Sequence, residues 1–321
     1  DSGCCSVSDV DDARRVAQQL DIDHHVFNFG EQFNESVVDP YVRAHMTGTT
    51  PNPCIECNRH LKFDQLLRRA DVLGFDAVAT GHHARIEERH GRWHLCRGAD
   101  ADKDQSYVVH MLGQDALRRT LFPVGDLTKL RVRELAAELG LRTAAKPDSQ
   151  DVCFITSDGG RRTFLGDRIG FRPGTVHGRD GQVLGEVDAM ELVTIGQRRG
   201  LTLAGAPERR FVVDVDVPAA RVTVGTAEDL LRSEELVDGV SWTGEPTFGE
   251  LLVQCSAHGS AQHAVVEPRG AAEGDIRSLR VRWSEPQRRI APGQSAVFYT
   301  TDNREVVGGG TVVRGSISAC P

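Results

Sequence analysis

The chain has 321 residues, 39% of them hydrophobic and 26% charged, enough for two or three domains with cores of their own, which excludes a small disulfide-stapled scaffold. No uninterrupted apolar run approaches the roughly eighteen residues needed to cross a bilayer, so no membrane span is expected; dilute, unevenly spaced cysteines with no signal-like segment ahead of them make a cytoplasmic location the expectation. Asp and Glu outnumber Lys and Arg by 46 to 38, a formal charge of −8, so a polyanionic partner must be met by a local basic face and not by a basic coat.

In chain order, Ser8 and Asp11 resemble a capping box and are followed by Ala13, Val16 and Leu20 at helical spacing. This predicts a helix, with a short strand at Val26 and Phe27 after it. Phe63, Leu66, Leu67, Ala70 and Leu73 line one face of a second helix, Gly74 offers its C-cap, and 77–80 reads as a buried strand. Gly81 and His82 then stand at that strand's C-terminal end, the edge where ligands bind in an open α/β sheet. Val132, Leu135, Ala136 and Leu139 mark a further amphipathic helix ending at Gly140. From Gly159 the texture changes. Gly and Pro punctuate short segments, and helical periodicity persists only at 226–236. Segments 211–217, 221–224, 251–255, 279–283, 296–300 and 306–313 read as strands of an antiparallel β-barrel. Domain cuts near 160 and 230 follow.

Eight cysteines occur, at 4, 5, 54, 57, 96, 153, 255 and 320. They are too scattered for an extracellular disulfide framework, so a reducing compartment with metal or sulfur chemistry is expected. In Thr50-Pro51-Asn52-Pro53-Cys54-Ile55-Glu56-Cys57 the two prolines fix an extended turn, which should place Cys57 at or near a helix N-terminus. The helix dipole with Arg59, His60 and Lys62 favours a thiolate there. Half of a structural zinc site and ordinary buried cysteines are the competing readings. Cys153, ahead of Phe154 and Ile155, ordinarily reads as a small core residue. A pair of distant thiols can also act as sulfur carrier and resolving partner, provided they meet in space. Ala101-Asp102-Lys103-Asp104-Gln105 reads as a charged loop holding one of only four lysines. Gly159-Gly160 and Gly308-Gly309-Gly310 do not stand between a strand and a helix, so no phosphate cradle is visible. Residues 161–210 hold nine arginines against six acidic residues, net +3, which fits either a phosphate-tracking face or a solvated one.

Seven motifs, TPNPCIECNRHLKF at 50–63, ATGHHAR at 79–85, KDQSYVV at 103–109, LFPVG at 121–125, KPDSQDVCFI at 146–155, TIGQRRGL at 194–201 and APGQSAVFY at 291–299, resemble in order those of the tRNA-specific 2-thiouridylase (MnmA) family. The resemblance implies an α/β fold: an incomplete Rossmann-like ATP-pyrophosphatase domain over 1–160, a small central domain over 161–230 and a C-terminal antiparallel β-barrel over 231–321. It implies a sulfurtransferase that adenylates the C2 oxygen of the wobble uridine with ATP and Mg²⁺, then replaces that oxygen with persulfide sulfur. Its partners would be tRNA and a sulfur-donating persulfide carrier protein. By motif matching Cys57 takes the nucleophile position and Cys153 the persulfide position, the two closing a disulfide after transfer. Gly81 matches a nucleotide contact and His82 a tRNA contact. Asn52, Pro53 and Cys54 frame the target base, which must be swung out of its stack. Lys103, Asp104 and Gln105 match a tRNA-contacting loop, Gln294 a barrel residue near the base, and Ser256 and Ala257 a further tRNA contact.

Three departures accompany the resemblance. The family's N-terminal strand and SGGxDS phosphate loop are not in this chain, so it reads as an N-terminally truncated member expected to bind ATP poorly. Cys54 stands where some relatives carry Asp, and a third cysteine there can relay sulfur. Ser256 stands where relatives often place Arg, with His258 available to supply the contact. The competing functions are a non-catalytic tRNA-binding remnant and a zinc-stabilised RNA-binding protein using Cys54 and Cys57.

Overall fold

In the computed structural model of the protein, residues 7–146, 152–155, 159–203, 209–269 and 276–315 are described. Cys4, Cys5, Cys320 and residues 147–151 of the second cysteine motif lie outside them.

Helix α1 (Val7–Gln19) forms as expected and buries only Ala17. Gln19 holds it by donating to the Leu139 carbonyl at 2.8 Å. The strand expected at Val26 and Phe27 is absent. Residues 22–29 carry no regular structure and Val26 is 62% exposed, because a strand is stabilised only by a ladder partner and none of the described strands pairs with this segment. Two long helical runs follow. In the first, α2 (Gly30–Phe33) continues through a π-helical stretch, Asn34–Val38, into α3 (Asp39–Met46). In the second, α4 (Pro53–Cys57) continues through a π-helical stretch, Asn58–Gln65, into α5 (Leu66–Leu73), which Gly74 ends at φ +76° as its position predicted.

Strand β1 (Val78–Ala79) is shorter than expected, with only Val78 buried. A hairpin, β2 (Ala84–Arg89) and β3 (Arg92–Arg97), follows, and then helix α6 (Gln114–Arg118). Strand β4 (Thr120–Leu121) lies parallel to β1. Helix α7 (Lys129–Glu138) is capped by Thr128, whose hydroxyl accepts from Arg131 N. Its apolar stripe stays half-covered and Leu139 is exposed.

After α8 (Gly160–Gly166) comes a five-stranded sheet of β5 (Gly174–His177), β6 (Val183–Val187), β7 (Thr202–Leu203), β8 (Phe211–Asp216) and β9 (Arg221–Gly225), in the order β7-β6-β5-β9-β8. Val176, Val212, Val215, Val222 and Val224 form its core with Met190. The segments at 211–217 and 221–224 are therefore strands, but of this sheet and not of the barrel. Alternating valines specify a half-buried strand without specifying which sheet it joins.

The last six strands are β10 (Leu231–Trp242), β11 (Gly249–Gln254), β12 (Gln262–Pro268), β13 (Leu279–Arg288), β14 (Ser295–Tyr299) and β15 (Glu305–Val313). They pair antiparallel in the order β10-β13-β12-β11-β14-β15, and β10 also pairs with β15, which closes the ring. The helical period at 226–236 does not become a helix. Glu228–Leu230 makes one 3₁₀ turn and β10 begins at Leu231, because that stretch must bond β13 on one side and β15 on the other. Closure also needs Gly309 and Gly310. A Cβ on Gly309 would stand 2.6 Å from His110 Cδ2, and one on Gly310 2.8 Å from the Asp238 carbonyl.

Through Leu95 opposite Val306 and Cys96 opposite Glu305, β3 extends the barrel sheet at β15. One core mixes Ile55, Phe63, Tyr107 and Leu117 with Leu252, Val297, Tyr299 and Val306. Each such side chain contributes roughly 1.5–3 kcal/mol by burial, so the N-terminal domain and the barrel are held together as firmly as a domain interior.

Candidate functional site

Asn52 caps α4 from an extended conformation, its Oδ1 accepting from Cys54 N at 3.1 Å, and Pro53 fills the first helical position. The helix thus starts one turn before Cys57. Cys54 is exposed in the first turn, while Cys57 is 9% exposed and packs with Val37, Val38, Tyr41 and Val42. The dipole's field fades within the first turn, so it bears on Cys54 more than on Cys57. Just upstream, a barrel turn clasps the chain. Thr50 N donates to the Pro292 carbonyl at 2.7 Å and the Gln294 side-chain amide donates to the Thr50 carbonyl. Gly293 lies between them at φ +96°, where a Cβ would come within 3.0 Å of the Thr50 backbone. Gln294 therefore holds Thr50, two residues before Asn52, from 244 positions away.

Cys153 is exposed, and it is Phe154 that enters the core. This reverses the plain expectation for a cysteine before Phe and Ile. The Phe154 ring meets Phe33 at 5.6 Å, Tyr41 at 5.5 Å and Phe164 at 5.0 Å, the edge-on and tilted contacts aromatic rings prefer. Cys57 and Phe154 belong to one apolar cluster. Two motifs nearly a hundred positions apart thus share a packing unit, with Cys153 at its rim. Burial, then the positive charge of Arg161, pushes nearby His45 down to about 4. Arg161 itself donates to the Leu192 carbonyl at 3.0 Å and Arg172 pairs with Glu191 at 2.9 Å. Part of the arginine excess in 161–210 is thereby spent inside the fold, while Arg198, Arg199 and Arg209 are exposed.

Gly81 is exposed, with open space where a Cβ would stand. His82 is 7% exposed between Phe63 and Phe122, each 5.7 Å away, and its Nδ1 is hydrogen-bonded to the Thr80 hydroxyl at 2.7 Å. Burial, followed by the charges of Lys62 and His83, pushes it down to about 3, so it is a neutral imidazole at any working pH. Of the 103–105 triad only Lys103 is exposed. Asp104 accepts from Arg97 at 2.7 Å, from Gly98 N at 2.8 Å and from the Ser106 hydroxyl at 2.8 Å. Gln105 accepts from His83 N at 2.9 Å and donates its own N–H to the His83 carbonyl at 2.8 Å. Their side chains organise the loop and lock it to the Gly81–His82 edge. Arg97 continues the link into the barrel, donating to Gln254 Oε1 at 2.9 Å and lying 3.8 Å over the Tyr299 ring. Gln254 in turn donates to the Ser256 carbonyl at 2.8 Å; Ser256 is exposed and Ala257 half-buried. Around Cys54 and Cys57, and anywhere else among the described residues, no group of three or more His, Cys, Asp or Glu gathers that could hold a metal ion.

Three family models match the chain in series. They are described as a tRNA methyl transferase HUP domain over residues 1–157, a tRNA methyl transferase PRC-barrel domain over 162–226 and an aminomethyltransferase beta-barrel domain over 233–312. The tRNA-specific 2-thiouridylase MnmA of Mycobacteroides abscessus is 47% identical over 322 residues, covering 97% of this chain and 87% of the relative. That of Mycobacterium avium is 47% identical over 318 residues, with 97% and 86% covered. The corresponding protein of Herpetosiphon aurantiacus is 43% identical over 316 residues, again with 97% and 86% covered. The chain belongs to the tRNA-specific 2-thiouridylase family.

Against that family's motifs the structure forms two neighbouring groups. One holds Asn52, Pro53, Cys54, Cys57, Gln294 and the Cys153 segment. The other holds Gly81, His82, Lys103, Asp104, Gln105, Ser256 and Ala257. They adjoin at Phe63, which lies in the π-helical stretch after Cys57 and packs on His82. π-Helical turns occur frequently at functional sites, and here Asn58, 2% exposed, uses its amide on the Val108 carbonyl at 2.8 Å while its Oδ1 is buried without a partner. Sequence reasoning missed the Phe154 anchor, the Thr50 clasp and the Arg97 junction in this 2-thiouridylase. Phe154 stood beside a flagged cysteine and Gly293 beside a flagged glutamine; Arg97 carried no signal.

Proposed function

We propose that the protein is a tRNA-uridine 2-sulfurtransferase that replaces the C2 oxygen of wobble uridine 34 with sulfur to give 2-thiouridine. One observation supports this reading above others: Phe154, the residue after Cys153, packs in the same apolar cluster as Cys57, which brings the two cysteine motifs together next to the segment that follows the clasped Thr50. The Gly81 edge fits a nucleoside approaching the end of β1. Among the described residues no glycine-rich turn leads from a strand into a helix, so none is assigned to a triphosphate. When bound, ATP supplies the adenylyl group that makes the C2 oxygen a good leaving group, with Mg²⁺ offsetting its charge.

Cys153 then carries a persulfide received from a sulfur-donating carrier protein. Its terminal sulfur bonds to C2 as the activated oxygen departs. The Cys57 thiolate attacks the Cys153 sulfur, the persulfide S–S bond breaks with its electron pair on the new thiocarbonyl sulfur, and a Cys57–Cys153 disulfide remains. Asn52, Pro53 and Cys54 frame the extruded base. Lys103, Ser256, Ala257 and the exposed arginines offer contacts to tRNA, while His82, expected from the motif as a tRNA contact, is buried between Phe63 and Phe122 and supports the Gly81 edge from within. The work is assigned to the cytoplasm. Methyl transfer, named by two of the matching family models, requires neither thiol.

The direct test incubates the intact enzyme with unmodified tRNA, ATP, Mg²⁺ and a persulfide donor, and digests the tRNA for nucleoside mass spectrometry. Wild type is expected to form 2-thiouridine and Cys57→Ser to fall roughly 10³-fold or more; wild-type rates from the variant overturn the assignment. Gln294→Ala removes one hydrogen bond to Thr50 and is expected to weaken tRNA binding by up to about tenfold. An unchanged dissociation constant in a filter assay counts against the clasp as part of the tRNA site.

A further inference from the structure

Cys54 has no step in the sulfur transfer described above, yet it is the exposed thiol of a Cys-x-x-Cys pair that is built into the site. We propose that Cys54 is the resolving thiol: it attacks Cys57 in the Cys57–Cys153 disulfide left by each turnover and so frees Cys153 to be loaded again. The proposal rests on the two-thiol reading of the function.

Three features of the fold place this step. Asn52 and Pro53 fix the helix start, so Cys54 and Cys57 lie three residues apart on one helix and their side chains emerge one turn apart on the same face. The turn is held from outside, because Pro292, Gly293 and Gln294 pin Thr50, which keeps the pair in register. The two thiols also differ in access, Cys54 being exposed and Cys57 packed against Val37, Val38, Tyr41 and Val42. A helix first turn and a Cys-x-x-Cys spacing both favour the thiolate that attacks. The departing Cys153 sulfur is at an exposed position, where water stabilises it as a leaving thiolate.

The step balances. The Cys54 thiolate bonds to Cys57 sulfur, the Cys57–Cys153 bond breaks, and its electron pair leaves on Cys153. No net oxidation occurs. The resulting Cys54–Cys57 disulfide is opened by an external dithiol, small or protein, which attacks at the accessible Cys54 and is itself oxidised.

The test runs one round of thiolation without dithiol on the full enzyme, blocks remaining thiols with an alkylating agent, and maps linked peptides by mass spectrometry. Wild type is expected to show Cys54 joined to Cys57, with Cys153 alkylated. Cys54→Ser is expected to shift the link to Cys57–Cys153 and to lose repeated turnover. A Cys57–Cys153 link in wild type with Cys54 alkylated overturns the resolving role and leaves the sulfur-transfer reading standing. Formation of 2-thiouridine with no link at Cys57 in either protein overturns both.

Discussion

Cys153→Ser is expected to abolish 2-thiouridine formation while leaving tRNA affinity and stability almost untouched. A serine oxygen cannot hold a sulfane sulfur, so the loss should reach about 10³-fold or more, the scale seen when a covalent participant is deleted. Cys153 is exposed and outside the apolar cluster that its neighbour Phe154 anchors, so the change should cost within about 0.5 kcal/mol of stability. Nucleoside analysis of the product tRNA, a filter-binding isotherm and a denaturation curve separate the three quantities. Normal thiolation by the variant refutes the carrier role, and a large fall in tRNA affinity would mean that the thiol grips substrate.

Phe154→Ala should have the largest effect on stability in this part of the molecule. The ring is 4% exposed and makes contacts with three aromatic neighbours, and emptying such a site costs about 3–5 kcal/mol. Because Phe154 is the only fully buried residue of the described 152–155 segment, its loss should also release Cys153 from the rim beside Cys57. Thiolation is then expected to fall steeply with tRNA binding kept, and Phe154→Leu should restore most of both stability and activity. Denaturant titration and single-turnover thiolation are the measurements. A cost under about 1 kcal/mol with full activity would show that something other than this ring places the cysteine.

Much of the local structure was legible in the chain. Gly74 marks a helix end and is found there, and the helix start expected at or near Cys57 falls one turn earlier, at Pro53 with Asn52 as its cap, because caps are decided by a few adjacent residues. The segments at 211, 221, 251, 279, 296 and 306 are all strands. Where the reading failed, a distant partner decided the outcome. Val26 and Phe27 lack a ladder partner among the described strands, β8 and β9 join a sheet of their own, and the helical period at 226–236 yields to β10, whose neighbours β13 and β15 lie far along the chain. The hairpin β2–β3 joins the barrel through β15, which no local pattern announces. At the site, the motifs marked Cys57 and Cys153, while the reading of Cys153 as a core residue missed that its neighbour carries the burial.

The sequence by itself determined the membership of the family, the residue types that chemistry requires and the caps and faces of most elements, since each of these depends on residues close together in the chain. Only the tertiary structure decided that a barrel turn holds Thr50, that Arg97 ties the 103–105 loop to the barrel, and that the Cys153 segment packs where Cys57 is. Those contacts arise from shape and burial between surfaces far apart in sequence, where the gain from excluding water depends on which partner arrives and not on the pattern either segment carries alone.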